Sequence, residues 1–172
     1  MSSSPPPAVS WESPEPQGGP APGVEFAPHG ARLVAYIIDT IIVSVVVTIL
    51  LGIGFAALGS GMTIEDNRIT DISPGSATLL IVLGLVATVI TILYFPYFWA
   101  RGGQTPGMRP FDLRVVRDSD GGPVGWGMAL LRLVGLWVAA VVFYIGFIWV
   151  FIDKRRRGWQ DLIAGTVVVK QP

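Results

Sequence analysis

GARLVAYIIDTIIVSVVVTILLGIGFAALGS, Gly30 to Ser60, is an apolar run long enough to cross a bilayer, and it carries a charge inside it. Arg32 stands at its entrance and Asp39 seven residues further on. At 3.6 residues per turn and about 1.5 Å of rise per residue, Asp39 falls about 10 Å deeper than Arg32 on nearly the same helix face. A carboxylate at that depth must be paired, wetted or protonated, because an ionised side chain in mid-membrane costs about 3 kcal/mol.

The rest of the chain repeats the apolar pattern. Thr40–Ile64, Ile72–Ala100 and Leu133–Ile152 are uncharged, and each is close to or above the ~20 residues that span hydrocarbon. Hydrophobic residues make up 51% of the 172 and charged residues 14%, with a mean hydropathy of +0.59. The expected class is an all-α membrane protein with three apolar transmembrane segments, about 31–59, 76–100 and 133–152, the third either spanning or re-entrant. A small cytoplasmic β element and a disordered N-terminal tail complete it. No cysteine is present, so neither a disulfide frame nor a thiolate metal site is available. The start, MSSSPPPAVS, lacks the basic residues and apolar core of a signal peptide, which leaves the first membrane helix as its own insertion signal.

Residues 1–29 form the expected tail, and 30–170 the membrane domain. The first 28 residues hold eight of the fourteen prolines, too many for a helix, with too few apolar residues for a core. The tail is either a docking segment for a proline-binding partner or a plain solvated extension. His29 has no second imidazole or thiolate to share a metal with, and reads as a surface residue. Beyond it, Thr40, Ser44, Thr48, Gly52, Ala56 and Ser60 recur every four residues. Such a ribbon of small or hydroxylated side chains lets another helix come close, so this face is expected to meet protein or line a pore.

Gly61–Gly75 is an acid-rich polar loop. The second run ends in YFPYFWAR, where aromatics followed by Arg101 mark a membrane exit. The connection from Arg101 to Arg132 holds five arginines. Within it FDLRVV alternates like a half-buried strand, SDGG is a hairpin turn signal, and GWGMALLR reads as an amphipathic surface helix. A small sheet there is joined by the C-terminal GTVVVK. Gly102, Gly103, Thr105 and Gly107 invite a phosphate-loop reading, but the lysine followed by Ser or Thr is missing, and a tight turn is the simpler account.

Charge then orients the chain. The arginine-rich connection belongs in the cytoplasm and the acid-rich loop outside, which puts the N-terminus inside. Three plain spans would send Lys154, Arg155, Arg156 and Arg157 outside, against the same rule. Either the third run turns back near Gly146 or the basic tail is an exception; an inside C-terminus is the expectation.

Three separated pieces together resemble the RDD family of bacterial membrane proteins. ARLVAYIID is similar to its opening motif with Arg32 and Asp39, GQTPGMR with LRVV and GGPVGWGMALLR to its central segment, and RRRGWQDLIAGTVVV to its closing motif, where Asp161 is the second aspartate. Relatives often carry a lysine where this chain has Met108 and a histidine where it has Gln160. The resemblance implies a transporter of unidentified ligands, with cation/proton exchange among the suggestions.

Two functions follow as expectations. In one, Arg32, Asp39 and Asp161 serve an ion or proton pathway lined by Thr40, Ser44, Thr48 and Gly52, with threonines of the second run opposite. In the other, Arg32, Asp39 and Asp161 form one fold-stabilising network that locks the closing motif onto the first helix. No G-x-S-x-G, cysteine nucleophile or clustered carboxylates point to an enzyme. Neither cofactor, metal nor nucleic acid is expected; the partners are the lipid bilayer of the cell membrane and further copies or other membrane proteins.

Overall fold

The computed structural model describes residues 24–141, 153 and 156–171. It is mostly helical, with two long apolar helices, a shorter third and two small sheets. β1 (Glu25–Phe26) leads into α1 (His29–Ser60), a 32-residue helix. A hairpin of β2 (Met62–Glu65) and β3 (Arg68–Ile72) connects it to α2 (Pro74–Gly102). A 3₁₀ turn (Arg109–Phe111) and β4 (Leu113–Arg117) precede α3 (Trp126–Val141), and the chain closes with α4 (Trp159–Ala164) and β5 (Thr166–Lys170).

Local chemistry sets these limits. Pro74 begins α2 where its missing N–H costs nothing, and Gly103 ends the helix in the left-handed conformation at φ 69°. α1 and α2 are antiparallel neighbours, and Gly54 permits their approach: a Cβ there would lie 2.8 Å from Leu80 Cδ1 and 3.2 Å from its Cα. Asp66 and Asn67 take positive φ values of 50° and 61°, as a two-residue hairpin turn requires.

The sheet order is β1-β5-β4, antiparallel throughout, with Glu25 opposite Lys170 and Val115 opposite Val168. It lies at the end of the helix pair where α1 begins and α2 stops; the Ala27 N–H donates to the Val168 carbonyl at 3.0 Å and the Val115 N–H to the Gly103 carbonyl at 2.6 Å. Ala27, Ala35, Trp99, Met108, Leu113, Val115, Val124, Ala129 and Val168 form the core at this junction.

Several expectations change. Ordered structure begins before residue 29, because Glu25–Phe26 supply a strand. The fold is not purely α: the polar loop is a hairpin, closed by the positive φ of Asp66 and Asn67. SDGG turns the chain into α3 instead of a second strand, and the partner of β4 is β5, distant in sequence but equally rich in valine. GWGMALLR and the start of the third run are one helix, with Ala129, Arg132, Gly135 and Ala139 on its buried face. The expected turn-back near Gly146 lies outside the described residues. Among the described residues the ribbon of Thr40, Ser44, Thr48 and Gly52 is exposed, because α2 meets α1 along Ala35, Asp39 and Gly54 instead.

Candidate functional site

The buried polar groups gather at the sheet end of the helix pair in two clusters. α1 contributes to both from one face, since Arg32, Ala35 and Asp39 recur at helical spacing and are all buried.

The first cluster centres on Asp161, which is fully buried. It stands in the first turn of α4, where its Oδ2 accepts the Gly158 N–H at 3.0 Å and so satisfies an open end of the helix. Arg32 Nη2 donates to the same oxygen and Arg132 Nη1 to Oδ1. Arg132, fully buried, also donates to Thr166 Oγ1 at the start of β5, and its guanidinium lies 4.6 Å from the centre of the Trp99 ring. Arg32 Nη1 donates to the Arg156 carbonyl, and Arg156 Nη1 donates to the Phe26 carbonyl at 3.3 Å. One carboxylate thus ties α1, α3, α4 and the sheet together. Burial alone would raise the Asp161 pKa; the charges of Arg32 and Arg132 outweigh it and hold the carboxyl below its ordinary value.

The second cluster centres on Asp39, also fully buried. Its Oδ1 accepts the Tyr94 hydroxyl at 2.8 Å and the Gly107 N–H at 2.8 Å, and its Oδ2 accepts the Thr105 hydroxyl at 2.5 Å. The GQTPG segment is therefore folded onto α1. Gly107 cannot be larger, because a Cβ would lie 2.3 Å from the Ala35 carbonyl oxygen and 2.8 Å from Asp39 Cγ. Among the described residues no arginine or lysine pairs with Asp39, in contrast to the two guanidiniums on Asp161.

The expectation of one network is accordingly corrected: Arg32 and Asp161 meet, whereas Asp39 belongs to a separate cluster of neutral donors. Thr40 donates to the Tyr36 carbonyl at 2.8 Å, and Thr78 and Thr88 of α2 donate to carbonyls of their own helix at 2.7 and 2.9 Å. These three hydroxyls close on the backbone of their own helices. Met108 is buried in the core, where it fills volume. Gln160 is buried as well, with α3 approaching closely at Gly135, where a Cβ would lie 2.7 Å from Gln160 Cα.

Arg132, Tyr94, Thr105 and Gly107 are the participants that sequence reasoning missed. Arg132 carried a usable signal, since it interrupts an apolar stretch from Val124 to Ile152 just as Asp39 interrupts the first. Thr105 and Gly107 had none beyond their turn propensity, because an acceptor on another helix gives them their role.

A family model described as the RDD family matches residues 26–165. The chain is 30% identical over 149 residues to the "Proline-rich antigen" of Mycobacterium leprae, covering 79% of this chain and 57% of that protein. It is 32% identical over 146 residues to "Uncharacterized protein YxaI" of Bacillus subtilis, covering 80% of this chain and 93% of that one. A "Proline-rich antigen homolog" of Mycobacterium tuberculosis is 28% identical over 82 residues, 46% of this chain and 34% of the homolog. The chain thus spans from a third to little more than half of the mycobacterial proteins' length. No solved structure matches.

Proposed function

Because the chain belongs to the RDD family, we propose that it is an integral protein of the cell membrane that moves a proton or a small cation through exchange at the Asp39 carboxylate. The membrane reading is supported by two helices of 32 and 29 residues whose apolar side chains face outward: Ile41 is 56% exposed, Ile49 56% and Leu85 62%. Water does not tolerate such a continuous apolar surface, while hydrocarbon does. Arg101, Arg109, Arg114, Arg117 and Arg156 share the sheet end, whereas Glu65, Asp66 and Asp71 belong to the opposite hairpin, which by the positive-inside rule supports a cytoplasmic sheet and N-terminus. β5 lies in that same sheet, which supports a chain that returns to the side it started from.

The single observation that carries the transport reading is Asp39: a buried carboxylate on an apolar helix, held by neutral donors that can release it, with no arginine or lysine paired to it among the described residues. The exposed Thr40–Gly52 ribbon is where a second copy would complete a pathway. A second reading has its own support, namely that both Asp39 oxygens are occupied by groups that pin the GQTPG segment, which describes an anchor equally well.

Reconstituted vesicles separate the two. If Asp39 exchanges ions, Asp39→Asn abolishes pH-gradient-driven cation flux while the purified protein keeps its folded spectrum. Undiminished flux in Asp39→Asn removes the transport role; an equal loss of folded protein and flux assigns the residue to anchoring.

A further inference from the structure

A cavity of about 450 Å³ opens beside the carboxyl end of α2 and shares only Trp99 with the clusters above. The end of α2, the outer face of β4 and β5 and the turn after β4 enclose it, and its polar lining includes Trp99, Arg101, Arg114 and Asp120. The volume is that of a small-molecule site.

The charges in it are unevenly committed. Asp120 is engaged, accepting Arg117 Nη1 and the Gly122 N–H, both at 3.0 Å. Arg101 only lies over the Tyr97 ring, at 5.6 Å. Arg114 has no hydrogen bond or ion pair among the described residues, and its Nε is shut off from water without an acceptor. Trp99 is fully buried, and its indole N–H has no acceptor either. Two guanidiniums without a carboxylate partner among the described residues border one cavity, which suits a ligand rich in acceptor oxygens. Arg101 complements the carbonyl end of α2, which spends part of its charge; Arg114, on a strand, has no such local use.

We infer that this cavity binds a phosphate group between Arg101 and Arg114. Guanidinium forks match the oxygens of a tetrahedral phosphate in pairs. The remaining wall, Val24, Val116 and Val169, is apolar and suits the carbon skeleton of a phosphoryl ester. Where α2 crosses a bilayer, this site lies at headgroup depth, because Tyr97 and Arg101 mark the interface, and an anionic phospholipid is then the source. A free phosphate has the same chemistry and does not depend on the membrane reading.

The full chain purified in a neutral detergent decides the matter by thermal-shift titration, which reads binding independently of any flux through Asp39. Phosphatidylglycerol in mixed micelles is expected to raise the unfolding midpoint at concentrations where phosphatidylcholine does not. Arg101→Gln and Arg114→Gln should each weaken the apparent affinity at least about tenfold, the size of one lost charge-assisted hydrogen bond. Arg109→Gln removes an equal charge from an exposed position outside the cavity and should change nothing. Inorganic phosphate that protects as well as phosphatidylglycerol, with the same dependence on Arg101 and Arg114, identifies a free phosphate as the ligand and keeps the site. Protection no greater than that given by phosphatidylcholine or by chloride at equal ionic strength overturns it, as does an Arg109→Gln loss equal to that of Arg114→Gln. Should Arg114→Gln fail to fold, the exposed Arg101→Gln alone decides.

Discussion

Replacing Asp161 by Asn keeps the size and one acceptor of the side chain while removing the charge that two buried arginines share. Arg132 is fully buried and Arg32 is 5% exposed, so neither guanidinium can turn to water once its partner is neutral. Breaking a buried ion pair by removing one member costs about 3–5 kcal/mol, most of it the penalty of the charge left behind. For a chain of this size each kcal/mol lowers the melting midpoint by about 2–4 °C. The expected drop is therefore about 6–20 °C, read by circular dichroism of the detergent-solubilised protein. A second substitution tests the cause. Arg132→Met in the Asp161→Asn background removes one stranded cation, and although it also gives up the Trp99 stacking, it should recover part of the loss. A midpoint within about 2 °C of wild type for Asp161→Asn, or a further drop on adding Arg132→Met, would refute the account of Asp161 as the shared counter-charge of both arginines.

Gly107→Ala should cost about 2–4 kcal/mol, because the new Cβ meets the Ala35 carbonyl oxygen at 2.3 Å and forces the N–H off Asp39; limited proteolysis near residue 107 should accelerate in step with a lower melting midpoint. Acid should destabilise the protein through Asp161: its folded pKa lies below the ordinary 3.8, so its contribution is complete above that value and declines as pH falls through the lowered folded value. A midpoint measured from pH 6 to 2 should show this decline in wild type and a smaller one in Asp161→Asn.

The apolar runs needed no tertiary information to be read as helices, because hydropathy and length act residue by residue: α1 and α2 lie within two residues of the expected 31–59 and 76–100 segments. The strand tendencies of LRVV and GTVVVK were also visible, as both are β-branched runs between turns. The hairpin at Asp66–Asn67 was less so, since its strands are short and, apart from half-buried Met62, exposed, and leave no buried face to set a pattern.

The site divides along the same line. Asp39 and Asp161 stood out by themselves, the first because a charge in an apolar helix is costly wherever it ends up, the second through the motif around it. Their partners did not. Arg132 shows only as a charge in an apolar stretch, and Thr105 and Gly107 as no more than a turn, until the packing of α3 and of the GQTPG segment carries them to carboxylates 29 to 68 positions away. Sequence alone determined that buried charges must be compensated, since desolvation is a property of the group; which donors compensate them is a matter of distance and angle, and only the tertiary structure decided that Arg32 serves Asp161 while Asp39 is held by Tyr94, Thr105 and Gly107.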